Sequence, residues 1–240
     1  MTITLTGIEG EMIITLTGMM GCGKSSVGRE LSGLLSLPFV DLDEYIESRE
    51  GRSIRDIFED EGEAAFRKME LESLKEILAQ DNIILSLGGG TITTPECADL
   101  VSARTFCIYL KASPATLLAH LEHESAGRPM LNPTDAGTST GNTGTSTGNA
   151  ETVTLQNSNP SSSKNTPSIS LKDAKQQLQR RITALLTQRT PIYEATARHI
   201  VSTDGLSIPQ IAAAISKLPN KYVTNHRMNH SQLTEQNSHN

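Results

Sequence analysis

The chain lacks a basic surplus: 21 Lys and Arg stand against 27 Asp and Glu, a formal charge of −6 with a pI near 5.5. Binding to a phosphate backbone or an anionic membrane draws on such a surplus, so neither a nucleic acid nor a membrane is expected as partner. Cysteine is scarce as well. Cys22, Cys97 and Cys107 form neither a CxxC metal clip nor an even disulfide framework, and a reducing compartment follows. No Lys or Arg precedes Lys24, and no apolar run approaches the roughly 18 residues that span a bilayer. A soluble, cytoplasmic protein is the expectation.

Low-complexity sequence interrupts the chain. Between 132 and 170, Ser, Thr, Asn, Gly and Pro fill 30 of 39 positions, and GTSTGNT (137–143) is followed directly by GTSTGNA (144–150). Such a tract buries too little apolar surface to offset its ordering entropy, which predicts a disordered insertion. Residues 219–240 carry four apolar residues and three of the six histidines, His226, His230 and His239; irregular spacing favours a disordered tail over a metal site. Residues 1–11 read as an N-terminal extension whose ITLTG recurs at 14–18. The remaining 168 residues of 12–218 suit a single domain.

Within that domain short apolar runs alternate with helix-period segments. Strands are expected at 12–17, 39–42, 83–87, 105–110 and 198–202, each followed by a helix. Helix starts are marked by Ser53 with Asp56 three residues on, Thr94 before Pro95 and Ser113 before Pro114. Near-continuous apolar strands such as IILSL and FCIYL belong in a parallel sheet covered on both faces, so the fold class is α/β, with five strands flanked by helices.

The first strand runs into Gly18-Met-Met-Gly21-Cys22-Gly23-Lys24-Ser25, a full GxxxxGK[ST] match. Chance produces such a match in a chain of this length with odds on the order of one in a hundred. Val27, Leu31, Leu34 and Leu35 mark the core face of the helix that follows. Backbone N–H groups and the helix N-terminus would cradle phosphates, Lys24 would neutralise them, and the Ser25 hydroxyl would ligate Mg²⁺. DxxG and NKxD are absent, which removes the regulatory GTPases, and the core is too short for a motor. Small-molecule kinases remain.

Asp41 and Asp43 end the second strand, two residues apart and so on one side of an extended chain. One can reach Mg²⁺ or its water and the other an acceptor hydroxyl; alternatively Asp43 caps the helix that follows. Gly88, Gly89 and Gly90 directly after the third strand permit close approach of a ligand to the backbone. Arg67, Arg128 and Arg189 are bidentate forks for carboxylate or phosphate, and Arg128 before Pro129 has the position of a lid arginine.

Taken in order, GMMGCGKSSVGRELS, LPFVDLDEYIE, GRSIRDIFEDEGEAAFRKMELESL, LSLGGGTIT, RPML and QRTPIYEATA resemble shikimate kinase along the whole core. The resemblance implies ATP- and Mg²⁺-dependent phosphorylation of the 3-hydroxyl of shikimate, in the chorismate route to aromatic amino acids, by a monomeric P-loop kinase with a mobile lid. It places Gly21, Cys22, Gly23, Lys24, Ser25 and Ser26 at the ATP phosphates, with Ser25 and Asp41 at Mg²⁺. Asp43, Arg67, Gly88, Gly89, Gly90 and Arg189 fall around shikimate, and Arg128 on the lid over ATP. Lys24, Asp43 and Arg128 are the catalytic expectation, Asp43 as candidate base. The chain departs from the family pattern in its long insertion, and in having His120 and His123 where an adenine-stacking arginine is common.

Overall fold

The structure is a computed structural model that describes residues 12–123 and 171–218. The extension 1–11, the insertion 132–170, the tail 219–240 and Arg128 lie outside the described residues.

Five parallel strands form one sheet in the order β2-β3-β1-β4-β5: β1 Ile13–Thr17, β2 Phe39–Asp41, β3 Ile83–Ser86, β4 Phe106–Lys111 and β5 His199–Ser202. Crossover helices lie between them: α1 Lys24–Leu35, α2 Leu42–Glu50 and α3 Ile54–Ile77, then α4 Pro95–Arg104, α5 Pro114–His123 and α6 Leu171–Thr196, and α7 Ile208–Ser216 follows the last strand. The chain moves from β1 to β2 on one side and, after β3, crosses to β4 on the other. The carboxyl ends beside a central strand of this kind form the crevice in which doubly wound folds place ligands.

Strand parity assigns each apolar residue to a layer. Ile14, Leu16, Ile84, Phe106, Ile108 and Leu110 pack under α1, α5 and α7, with Val27, Leu31, Leu121, Ile211 and Ile215. Their neighbours Ile13, Ile83, Leu85, Leu87, Cys107 and Tyr109 face α2, α3 and α4, with Ile46, Leu74, Cys97 and Val101. Both faces are therefore covered, as the continuous apolar strands require. One expected core position fails: Leu34 is 45% exposed, while Leu35, expected with it, packs against the core.

Local signals set the helix ends. Ser53 and Asp56 form a reciprocal capping box on α3, and Ser113 Oγ accepts the Thr116 N–H at 3.2 Å to cap α5. A second cap on α5 comes from the far side of the sequence. Asp204, after β5, accepts from Ser113 N at 2.9 Å and Thr116 Oγ1 at 2.7 Å, and these bonds, the Ser113 N–H first, hold its carboxyl below the usual range.

Gly62 interrupts α3 with φ 80° and ψ 175°, a backbone region open essentially to glycine alone, while a Cβ there would meet no atom within 4 Å. The barrier to substitution is thus conformational. Gly62→Ala is expected to cost about 1–3 kcal/mol. Gly33, inside α1 with equally open surroundings, is expected to gain about 0.5–1 kcal/mol on the same change. Thermal melts of the two variants check the opposite signs; a neutral Gly62→Ala would show that the break in α3 is not set by residue 62.

Candidate active site

Thr17 ends β1 and the chain turns through Gly18 to Gly23 before α1 begins at Lys24. Gly18, Gly21 and Gly23 all hold positive φ (143°, 78° and 88°), and a Cβ on Gly18 would lie 2.6 Å from the Leu110 carbonyl oxygen. This turn is closed to other residues. The first backbone bond at the head of α1 runs from Val27 N–H to Gly23 O at 2.8 Å, so the amides of Lys24, Ser25 and Ser26 have no acceptor within the helix. Gly23 supplies no side-chain cap and no acid occupies the first turn. The amides and the positive end of the helix are thus left to an anion. Cys22 donates its N–H to Met19 O at 3.2 Å within the turn, and its side chain is buried in the core.

Lys24 is buried and folds back over this loop, donating from Nζ to Gly18 O at 3.0 Å and Met19 O at 3.2 Å. An ammonium carries three donors, so one remains for a phosphate oxygen. Beside it, Ser25 Oγ donates to Asp41 Oδ2 at 2.6 Å. The other oxygen, Asp41 Oδ1, accepts the amides of Asp43 and Glu44 at 3.1 and 3.5 Å and so caps α2. The helix starts immediately after Asp41, which places Asp43 in its first turn rather than on an extended strand. The capping role considered for Asp43 belongs to Asp41. Ser25 and Asp41 offer oxygen donors only, and no group of three His, Cys, Asp or Glu gathers among the described residues. This donor set suits Mg²⁺, which keeps several waters and takes much of its shell from phosphates.

The glycine turn after β3 borders the phosphate cradle. Leu87 N–H bonds Leu16 O at 3.0 Å, and a Cβ on Gly89 would lie 3.2 Å from Met20 N. On its other sides the turn meets each expected acceptor residue. A Cβ on Gly88 would lie 2.8 Å from Asp43 Oδ1, and one on Gly90 2.8 Å from Arg67 Nη2. Arg189, buried on α6, donates from Nη1 to Gly89 O at 3.1 Å. Residues separated by up to 146 positions, Asp43 to Arg189, thus converge on three glycines.

Further residues build this side and were not singled out in the sequence, above all Glu70 and Tyr193. Glu70, 1% exposed, accepts from Arg67 Nη1 at 2.5 Å and from Thr91 Oγ1 at 2.7 Å, fixing the arginine to the turn. A buried carboxylate is tolerable when paired in this way. Burial works against the Arg67 charge, but Glu70 and then Glu63 reverse the balance and raise its pKa, so the fork stays cationic. Tyr193, also fully buried, donates its hydroxyl to Gly89 O at 2.5 Å. Helical spacing was the available signal: Glu70 follows Arg67 by three residues and Tyr193 follows Arg189 by four, so each pair shares a helix face.

Helix α5 closes the remaining flank of the phosphate loop. Leu121 fills the space where a Cβ on Gly21 would sit, at 2.9 Å, and His120 Nδ1 lies 2.8 Å from Gly21 O. His120 is therefore engaged with the loop backbone.

The chain is similar to known proteins in sequence and in fold. Residues 20–145 match the family described as shikimate kinase. A curated shikimate kinase from Thermus thermophilus is 38% identical over 202 residues, 84% of this chain and 86% of that protein. A solved shikimate kinase from Acinetobacter baumannii in complex with shikimate aligns over 92% of this chain and 98% of its own, at 25% identity and a TM-score of 0.64. Another, from Aquifex aeolicus, covers 85% and 94% at 27% identity with a TM-score of 0.57. A match spanning more than half of the chain and a relative aligned over most of both lengths make the conclusion plain: this chain belongs to the shikimate kinase family.

Proposed function

We propose that the protein transfers the γ-phosphoryl group of ATP to the 3-hydroxyl of shikimate, giving shikimate 3-phosphate and ADP in the route to aromatic amino acids. The observation that carries this reading is the glycine turn itself, wedged between the phosphate loop at Met20 and the cluster of Asp43, Arg67 and Arg189. Donor and acceptor then lie against one piece of backbone.

The family comparison supports the reaction, and the geometry supports these roles. The free amides of Lys24, Ser25 and Ser26 hold the phosphates, and the third Lys24 donor meets charge on the transferring group. Ser25 and Asp41 would hold Mg²⁺, which when bound neutralises phosphate charge. Arg67 and Arg189 clamp the shikimate carboxylate. Asp43 orients the acceptor hydroxyl and takes its proton at a carboxylate oxygen. Arg128, outside the described residues, takes the role of lid arginine that excludes water from the phosphates on the family resemblance alone. A cytoplasmic monomer is part of the same proposal, and light scattering on the purified protein checks the oligomeric state.

The test is Mg²⁺- and ATP-dependent ADP release with shikimate, gluconate and nucleoside monophosphates run side by side. Release with shikimate alone is expected; release with another acceptor alone would overturn the assignment. Loss of a charge-assisted bidentate contact costs about 1.5–3 kcal/mol, so Arg67→Ala and Arg189→Ala should each raise the shikimate KM about 10- to 150-fold. The ATP KM should stay within about twofold. Equal increases in both KM values would remove the carboxylate assignment.

A further inference from the structure

The contact between Tyr193 and the glycine turn has no place in the roles above. Tyr193 sits one helical turn after Arg189 on α6, and both donate to one acceptor, Gly89 O, at 2.5 and 3.1 Å. A carbonyl oxygen has two lone pairs, so the pair saturates it. The Tyr193 ring is fully buried and lies 5.0 Å from the Tyr109 ring, tilted by 32°, which leaves the hydroxyl little freedom to point elsewhere. Burial raises the phenol pKa well above its ordinary value against the pull of the Arg189 charge, so the group remains a donor at any working pH.

Gly89 is the middle residue of the turn. Gly88 on one side abuts Asp43 and Gly90 on the other abuts Arg67, so the plane of the Gly89 peptide sets how both flanking residues meet those side chains. The same carbonyl anchors Arg189. With the tyrosine hydroxyl in place the arginine needs to spend only one of its five donors on the backbone. Without it, the second lone pair of a buried carbonyl is open, and the Arg189 guanidinium, which bonds both that carbonyl and the tyrosine hydroxyl, is free to turn inward and fill it.

We propose that Tyr193 is a positioning residue for the acceptor: its hydroxyl fixes the Gly89 carbonyl and thereby presents the Arg189 fork to the substrate carboxylate. The inference rests on the shikimate reading given above. It acts through another residue, so the measurement must separate positioning from packing.

Tyr193→Phe keeps the ring and removes one oxygen. It is expected to raise the shikimate KM about tenfold while kcat and the ATP KM stay within about twofold. In an Arg189→Ala background the same change should add less than about twofold, because the residue through which it works is gone. Tyr109→Phe is the control: its phenol is also buried and bonds Thr190 rather than the turn, so it should leave the shikimate KM unchanged. A lower melting temperature for Tyr193→Phe with an unchanged shikimate KM would overturn the inference. So would an undiminished tenfold effect in the Arg189→Ala background, or an equal rise in Tyr109→Phe. Wild-type protein that fails to turn over shikimate would overturn the underlying reading, and the inference with it.

Discussion

Replacing Lys24 by Met is expected to lower kcat for shikimate phosphorylation by about 10²- to 10³-fold, the typical loss on removing one preorganised donor from a developing charge. The expectation follows from how the ammonium is held. It is buried at the head of α1 and braced by the carbonyls of Gly18 and Met19, so its position is set before nucleotide arrives and little reorganisation is needed during transfer. Methionine matches the length and apolar character of the stem and isolates the loss of charge. The two carbonyls lose a donor, at a cost of about 1–3 kcal/mol to the fold, or roughly 2–10 °C in melting temperature for a domain of this size. ADP release and a thermal melt on the same preparation separate the two effects. Arginine should not rescue, since its planar fork cannot occupy the compact space between two carbonyls of one turn. A variant that melts normally and retains more than about a tenth of wild-type kcat would remove Lys24 from the catalytic set.

Asp43→Asn is expected to reduce kcat by about 10²- to 10⁴-fold, the range supplied by a positioned acid or base, with almost no change in stability. Asparagine preserves shape and one carbonyl oxygen beside Gly88 but cannot accept a proton from the acceptor hydroxyl. The small stability effect depends on which carboxylate caps α2. Asp41 accepts the amides of Asp43 and Glu44, so the helix start survives a change at residue 43. Asp41→Ala should behave oppositely in stability, because that one side chain caps the helix and accepts the Ser25 hydroxyl; losing a cap costs about 0.5–2 kcal/mol. Kinetics and melts on both variants form the check. An Asp43→Asn enzyme with near wild-type kcat would leave the hydroxyl oriented by the turn and the arginines alone.

The contrast between Asp41 and Asp43 shows how far the sequence could be read. DLDE after an apolar strand identified two useful carboxylates, but their division of labour turned on where strand became helix. Alternation placed both on one side of an extended chain; the helix begins one residue after Asp41, and that single boundary made Asp41 the cap and left the Asp43 carboxylate beside Gly88. Leu34 fails for a similar reason. Its spacing from Val27 and Leu31 was helical and apolar, yet which residues of a last turn meet the core depends on what packs there, and of the two expected leucines only Leu35 does.

The sequence by itself determined the features whose physics is local. The phosphate loop needs glycines at three positive-φ positions and a lysine at a helix start, all within eight residues. Strand parity, the Ser53 capping box and the covered parallel sheet follow from periodicities of two and 3.6 residues. Only the tertiary structure decided the partners. Glu70 beneath Arg67, Tyr193 and Arg189 on one carbonyl about 100 residues away, and Asp204 across to α5 are contacts made when α3, α6 and the segment after β5 pack against the carboxyl ends of the strands. A side chain's spacing along its own helix fixes the face it shares, while the atom it meets depends on the neighbour that folding brings to that face.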